Sequence, residues 1–262
     1  NACISNVLEW TKDNLSILAT TVVANQGDIK DAKLAISTGP TIMENDGKKA
    51  QNRTYQDLLK NAVDEYNFEN LITSEITKFD LKGGSKLFKK AAMYMDMNFS
   101  PDGNYLMTYE IQKPFSYIVT YDRFPIDINL SSKDGQFIST YYQYPLTEDL
   151  PKGFMAVRKG KRSINWRADK AATLYWAEAL DGGDPAVEVG ERDAIYEQNA
   201  PFNGSTRLLV KTKERYGGII WGDDQVAVIY ERWWNTRNER ILLFNPSDAS
   251  ATPVLFNQRN NP

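Results

Sequence analysis

One short pattern recurs four times along the 262-residue chain and constrains its fold more than any other feature. Each copy is an alternating apolar run that ends in Trp or Phe, followed three residues later by Asp and then by a second apolar run. Such runs on either side of a polar turn are typical of paired antiparallel strands. We expect the aromatic residue to pack at the end of the first strand, and the Asp to accept hydrogen bonds from turn N–H groups. The four pairs are Trp10 and Asp13, Phe99 and Asp102, Trp166 and Asp169, and Trp221 and Asp224.

A third and a fourth strand are expected after these hairpins. They are predicted at Leu71–Asp80 and Ser85–Lys89, at Asp193–Gln198 and Arg207–Thr212, and at Arg240–Asn245 and Pro253–Asn257. Repeated groups of four strands predict an all-β chain, the β-propeller portion of about four four-stranded blades. The blades are predicted at about 3–90, 91–160, 161–213 and 214–262, in one partial propeller domain over 1–262. A plain β-sandwich is the alternative.

The repeats are unequally spaced, with 89, 67 and 55 residues between successive aromatic positions. Two insertions explain the excess, and insertions in propellers usually carry binding loops on one face. The larger, at about 27–69 in the first blade, is predicted to be partly helical, with a helix at Tyr55–Lys60 capped by Thr54. The second excess falls in 112–160.

Composition excludes several kinds of chemistry within this chain. It contains no histidine and a single cysteine, Cys3, so a Ser-His-Asp triad, a histidine-ligated zinc and an internal disulfide are impossible here. The net charge of −3 argues against a nucleic-acid binder. Asp181-Gly182-Gly183-Asp184 lacks the spread of ligands of a calcium loop and is interpreted as a turn. No cofactor, metal ligand or catalytic residue is predicted.

Several longer segments are similar to those of a known family. The segment Lys113–Pro125, which reads KPFSYIVTYDRFP, resembles part of the glutamyl endopeptidases, serine peptidases of the prolyl oligopeptidase family. Further similar segments are Gly47–Ala50, Arg53–Asn61, Ser163–Asp169, Trp176–Pro185, Trp221–Asp224 and Tyr230–Arg237. The resemblance implies an N-terminal β-propeller followed by a C-terminal α/β-hydrolase domain with Ser, Asp and His.

The hydrolase signature, Gly-x-Ser-x-Gly, does not occur in this sequence. We therefore expect a non-catalytic propeller fragment that gates and positions peptide substrates for a missing hydrolase domain of the same polypeptide. The resemblance suggests a periplasmic or secreted bacterial location. Exposed blade edges would favour closure of a small ring or a homodimer. The alternative is a stand-alone interaction module that binds a protein or a glycan.

Five arginines are candidates for substrate contact. The resemblance implies selectivity for acidic side chains, and the planar guanidinium group binds a carboxylate through two hydrogen bonds. The candidates are Arg123, Arg158, Arg162, Arg232 and Arg237. Each has a structural alternative: a solvated loop for the basic run around Arg158 and Arg162, a salt bridge for Arg123, and packing of Trp233-Trp234 between blades for the last two.

Overall fold

The computed structural model describes residues 7–31 and 55–260. Almost all of the regular secondary structure of these residues is β-strand. They form four separate four-stranded antiparallel sheets and one α-helix. In every sheet the strands are hydrogen-bonded in the order in which they occur along the chain. This up-and-down order is that of a propeller blade. The predicted all-β fold class, with four four-stranded blades, is confirmed.

The chain divides into two compact units, and the first contains the described residues up to 148. Its two sheets hold the first eight strands. The first sheet consists of β1 (Leu8–Trp10), β2 (Ser16–Thr21), β3 (Ser74–Asp80) and β4 (Ser85–Ala92). The second consists of β5 (Tyr94–Phe99), β6 (Tyr105–Ile111), β7 (Ile126–Ser132) and β8 (Phe137–Tyr144). The two sheets of this unit share a core of Leu18, Ile76, Tyr94, Met97, Phe99 and Leu106.

The second unit contains residues 149–260 and again holds two sheets. The third sheet consists of β9 (Arg162–Trp166), β10 (Thr173–Ala179), β11 (Asp193–Asn199) and β12 (Arg207–Thr212). The fourth consists of β13 (Arg215–Trp221), β14 (Ala227–Trp233), β15 (Asn238–Phe244) and β16 (Val254–Asn260). Their common core consists of Tyr175, Ala177, Ile195, Leu209, Val210, Ala227, Ile229, Leu242 and Phe244.

The repeated aromatic residue occupies one equivalent position in all four sheets. Trp10, Phe99, Trp166 and Trp221 are each the last residue of the first strand of their sheet. The acidic residues are less uniform. Asp13 accepts a hydrogen bond from the backbone N–H of Leu15 (2.9 Å), and Asp102 accepts one from Asn104 (3.0 Å), as Asp does in turns.

The predicted role of the Asp fails in the last two sheets. The carboxylate of Asp169 accepts hydrogen bonds from the guanidinium group of Arg167 at 3.0 and 2.5 Å. In the fourth sheet the turn N–H groups of Gln225 and Val226 donate to Asp223, at 2.8 and 2.9 Å, and not to Asp224. The change in the third sheet follows from the neighbouring arginine, whose buried charge needs a carboxylate partner.

The single α-helix of the described residues, α1 (Ala62–Ile72), lies in the predicted insertion but begins later than expected. Its N-cap is Asn61, whose Oδ1 accepts hydrogen bonds from the N–H groups of Val63 (2.9 Å) and Asp64 (3.0 Å). The helix predicted at Tyr55–Lys60 is wrong, because these residues are not helical. The proposed cap, Thr54, lies outside the described residues. Since α1 extends to Ile72, β3 starts at Ser74 rather than Leu71.

The predicted excess at 112–160 is only partly an insertion. Two regular strands, β7 and β8, lie inside it and complete the second sheet. The irregular segments are therefore 112–125 and 145–161, on either side of that strand pair. No helix among residues 7–31 and 55–260 is long and apolar enough to cross a membrane.

Candidate functional site

A cavity of about 600 Å³ lies in the second unit, and arginine is the commonest residue in its wall. Five guanidinium groups and two carboxylates line it, together with aromatic and aliphatic side chains. The charged lining residues are Arg162, Arg215, Arg232, Arg240, Arg259, Glu231 and Glu239. The others include Phe154, Met155, Val157, Tyr216, Tyr230 and Ile241. We call this cavity the arginine pocket.

Strand order explains why residues far apart in sequence meet at the arginine pocket. In an antiparallel sheet the start of one strand lies beside the end of the next. Arg215 starts β13, Arg232 is next to the end of β14, and the two are register partners. The register also pairs Glu231 with Arg240 and Glu239 with Arg259 across β14, β15 and β16. The segment 145–161 adds Phe154, Met155 and Val157.

Arg215 forms the buried base of the pocket. Its Nη1 and Nη2 donate to Asp181 at 3.1 and 2.6 Å, Nη1 also donates to Asp193 at 2.9 Å, and Nε donates to the carbonyl of Met155 at 3.0 Å. Burial alone would raise the pKa of Asp181, but hydrogen bonds from Arg215 and Arg192 outweigh it and hold that pKa below its ordinary value. Arg215 therefore joins β13 to the β10–β11 connection and to the loop at Met155.

Arg162 lies on the wall of the same pocket and is bonded quite differently. It is 8% exposed and forms an ion pair with Asp193. Its Nε is buried, and no described residue accepts a hydrogen bond from it. Leaving a charged donor buried without an acceptor is costly, so Arg162 is held at the wall by its ion pair with Asp193 although its Nε is not satisfied.

The outer wall contains two ion pairs and one arginine without a partner. Arg240 pairs with the buried Glu231, and Arg259 donates from Nε to Glu239 at 2.8 Å. Burial raises the pKa of Glu231, although the N–H of Glu214 and the charge of Arg240 counter it in part. Arg232 is exposed, and its side chain has no hydrogen bond or ion pair with any described residue.

The charge balance of the site favours an anionic occupant. Counting Arg192, Asp181, Asp193 and Glu214 with the lining residues gives six guanidinium groups against five carboxylates. Among the five lining arginines, the one without an ion pair to a described residue is Arg232, which is exposed. A guanidinium fork matches the geometry of carboxylate and phosphate groups and binds either through two hydrogen bonds. The residues that the structure describes contain no cluster of three or more metal-ligating side chains.

Of the five predicted contact residues, the structure brings Arg162 and Arg232 together in the arginine pocket. Arg158 lies in the preceding loop, half-buried, and does not line the pocket. Arg123 belongs to the first unit, where it ends a 3₁₀ helix (Tyr121–Arg123), is 9% exposed and lies 5.5 Å from the ring centroid of Tyr55. Arg237 lies over Trp234, at 3.6 Å from its ring centroid.

Sequence reasoning missed Arg215, Arg240 and Arg259. None of them belongs to the basic run around Arg158 and Arg162, and each contributes to the pocket only because strand register brings it there. One signal was present: Arg240 begins a predicted strand, although Glu239 and Arg259 lie just outside the predicted strands Arg240–Asn245 and Pro253–Asn257. Register, however, cannot be assigned from a single strand sequence.

The fold and the site together define a propeller-type all-β chain with an arginine-lined pocket. Over 250 residues, 94% of its length, it is 40% identical to a protein of Oryza sativa subsp. japonica named probable glutamyl endopeptidase, chloroplastic. It is 39% identical over the same length to a protein of that name from Arabidopsis thaliana. The resemblance predicted from the sequence is thereby confirmed. The chain spans 26% of the length of each relative.

The remaining comparisons add little. No protein-family model matches the chain. A solved structure of an uncharacterized protein from Listeria monocytogenes aligns with 98% of this chain and 65% of its own, at 8% identity and a TM-score of 0.35. That score is too low to support an inference.

The expected bacterial periplasmic or secreted location is wrong. Both relatives are plant proteins named as chloroplastic.

Proposed function

We propose that this chain is the non-catalytic propeller region of a glutamyl endopeptidase-type peptidase, and that it gates and positions acidic peptides for a hydrolase domain outside this sequence. The arginine pocket is the part of the chain that binds the acidic side chain. The observation that carries the proposal is the exposed, unpaired Arg232 in a cavity whose wall contains five guanidinium groups and only two carboxylates.

The division of roles follows from the bonding of each arginine. Arg215 uses its donors on Asp181, Asp193 and the carbonyl of Met155, so it holds the pocket together. Arg162 is held by its ion pair with Asp193, and Arg232 keeps its whole guanidinium group for a ligand. A carboxylate that accepted hydrogen bonds from Arg232 would neutralise the unmatched charge.

The similarity to two proteins named probable glutamyl endopeptidase supports the choice of an acidic peptide over other anions. In such an arrangement the pocket contributes binding energy and orientation, and the bond cleavage occurs elsewhere. The chain itself has no histidine and therefore no Ser-His-Asp triad of its own.

Peptide binding tests the pocket. A fluorescently labelled peptide with one central Glu is titrated against the purified chain, beside the same peptide with Gln. We expect the Glu peptide to bind roughly tenfold more tightly, as one charge-assisted contact implies. Arg232→Gln should remove most of this preference, whereas Lys82→Gln, an exposed cation in the first unit, should leave it unchanged. Equal binding of the two peptides would refute the pocket's role.

Hydrolysis tests the absence of catalysis. The purified chain is incubated with the same Glu peptide, and products are followed by mass spectrometry over a day. We expect the peptide to stay intact. Cleavage after Glu that co-purifies with the chain and is abolished by unfolding it would contradict the proposal.

A further inference from the structure

Two exposed aromatic side chains lie side by side at the edge of the arginine pocket. Phe154 is 67% exposed and Trp234 is 40% exposed, and their ring centroids are 5.0 Å apart. Phe154 is also a lining residue of the pocket. Large exposed aromatic groups that are clustered, rather than scattered, mark binding surfaces in soluble proteins.

The neighbouring tryptophan shows that this exposure is specific to position 234. Trp233 is the last residue of β14, is 9% exposed, and has the guanidinium group of Arg192 3.9 Å from its ring centroid. Trp233 therefore packs within the unit. Trp234 follows it in the β14–β15 turn, outside the strand, and its ring is left accessible.

The turn also supplies a cation to Trp234. The N–H of Arg237 donates to the carbonyl of Trp234 at 3.1 Å, and Arg237 has a φ of 54°, a left-handed conformation that is uncommon for a residue other than glycine. Its guanidinium carbon lies 3.6 Å from the Trp234 ring centroid. Stacking on a guanidinium group restricts the orientation of the indole, so less freedom is lost when a ligand contacts it.

The aromatic pair is continuous with the charged part of the pocket. Phe154 lines the cavity together with Arg232, and Trp234 is two residues beyond Arg232 along the chain. Tyr230, 37% exposed, is another aromatic residue that lines the pocket. An extended peptide advances about 3.3 Å per residue, so side chains one to three positions apart reach both parts.

We infer that Phe154 and Trp234 form a second subsite, which binds an aromatic or large aliphatic side chain of a peptide whose acidic side chain occupies the arginine pocket. This inference rests on the proposed function and narrows it. The occupant is a peptide segment in which Glu or Asp lies one to three residues from a bulky apolar residue. Aromatic side chains fit best, because they stack on the two exposed rings.

Four peptides separate the two subsites. They combine Glu or Gln at one position with Trp or Ala two residues away, and each is titrated against the chain. We expect the Glu–Trp peptide to bind about five- to tenfold more tightly than the Glu–Ala peptide, the effect of one aromatic contact. In Trp234→Ala this ratio should fall close to one while the preference for Glu over Gln is retained. Because Trp234 is outside the core, the variant should fold.

Trp10→Ala is the matched control, since Trp10 is 51% exposed and belongs to the first unit. It should leave both ratios unchanged. Equal binding of Trp and Ala peptides, with the Glu preference intact, would overturn the aromatic subsite and leave the proposed function standing. The unmodified chain could instead prefer Trp over Ala peptides and show no preference for Glu over Gln. If Trp234→Ala then removed the Trp preference, the aromatic subsite would be supported and the acidic subsite refuted. Loss of both preferences in the unmodified chain would refute both.

Discussion

The guanidinium carbon of Arg167 lies 4.4 Å from the ring centroid of Trp221. Arg167 directly follows the last residue of β9, and Trp221 is the last residue of β13, so the two sheets of the second unit meet at equivalent points of the repeat. In the first unit the N–H of Phe99, at the end of β5, donates to Glu9 of β1 at 3.3 Å. The repeated aromatic thus marks where neighbouring sheets within a unit contact each other.

Replacing Arg167 should destabilise the second unit strongly. Its guanidinium group bonds to Asp169 and Glu197, whose side chains are 3% and 8% exposed. Arg167→Met would leave both carboxylates buried without this partner and should cost about 3–5 kcal/mol, measured by urea unfolding. Arg259→Gln, which removes an exposed ion pair with Glu239, is the control and should cost about 0–1 kcal/mol. Similar losses in the two variants would contradict the assignment.

Gly183→Ala should destabilise the chain and disturb the arginine pocket. Gly183 has a φ of 82°, and an added Cβ would lie 2.1 Å from the carbonyl oxygen of Val157. Its N–H also donates to Asp181, the partner of Arg215, at 2.9 Å. The left-handed backbone alone costs an alanine more than about 1 kcal/mol. Gly190→Ala, where an added Cβ meets nothing within 4 Å, should be close to neutral in the same thermal unfolding measurement.

Asn61→Ala should weaken the start of α1. The side chain of Asn61 accepts two helix N–H groups, and loss of an N-cap typically costs about 1 kcal/mol. Urea unfolding followed by far-UV circular dichroism measures the loss. Asn61→Ser keeps an acceptor without placing a second carboxylate beside Asp64, and should lose much less stability; if it is as destabilised as the alanine variant, the capping role is wrong.

The stability of the second unit should fall in acid because of Asp181. Its pKa is held below the ordinary value of 3.8, so the carboxylate stabilises the folded state above that pH and loses this effect as the pH falls through the lower folded-state pKa. Asp181→Asn removes the titration. We expect the unmodified chain to be more stable than this variant at about pH 6 and the gap to narrow towards about pH 3. A gap independent of pH would contradict this.

Local chemistry explains which parts of the fold could be predicted. The strand ends at Phe99 and Trp166 were predictable because apolar alternation stops there and turn residues follow. Asp223 and Asp224 are adjacent and chemically identical, so the sequence does not distinguish which one caps the turn. The helix start was misplaced because both Thr54 and Asn61 are good N-cap residues, and side-chain contacts at Asp64 favour the second.

The candidate site was also predictable only in part, but the reason is different. Arg162 was noted for its basic neighbours and Arg232 for the adjacent tryptophans, both local signals. The convergence of Arg215 and Arg240 with them depends on the pairing of β13, β14 and β15, which is set by packing between whole strands. Arg123 had an equally good local signal, but it belongs to the first unit and does not line the arginine pocket.

The junction between the first and second strands of each sheet combines a short turn with a contact to the neighbouring sheet. Extra residues at such a junction would displace both the turn and the contact. The described residues of the segments 22–61, 112–125 and 145–161, in contrast, belong to no strand. Insertions and deletions that distinguish natural homologues should accordingly accumulate in these three segments. The connections 11–15, 100–104, 167–172 and 222–226 should keep a constant length in evolution.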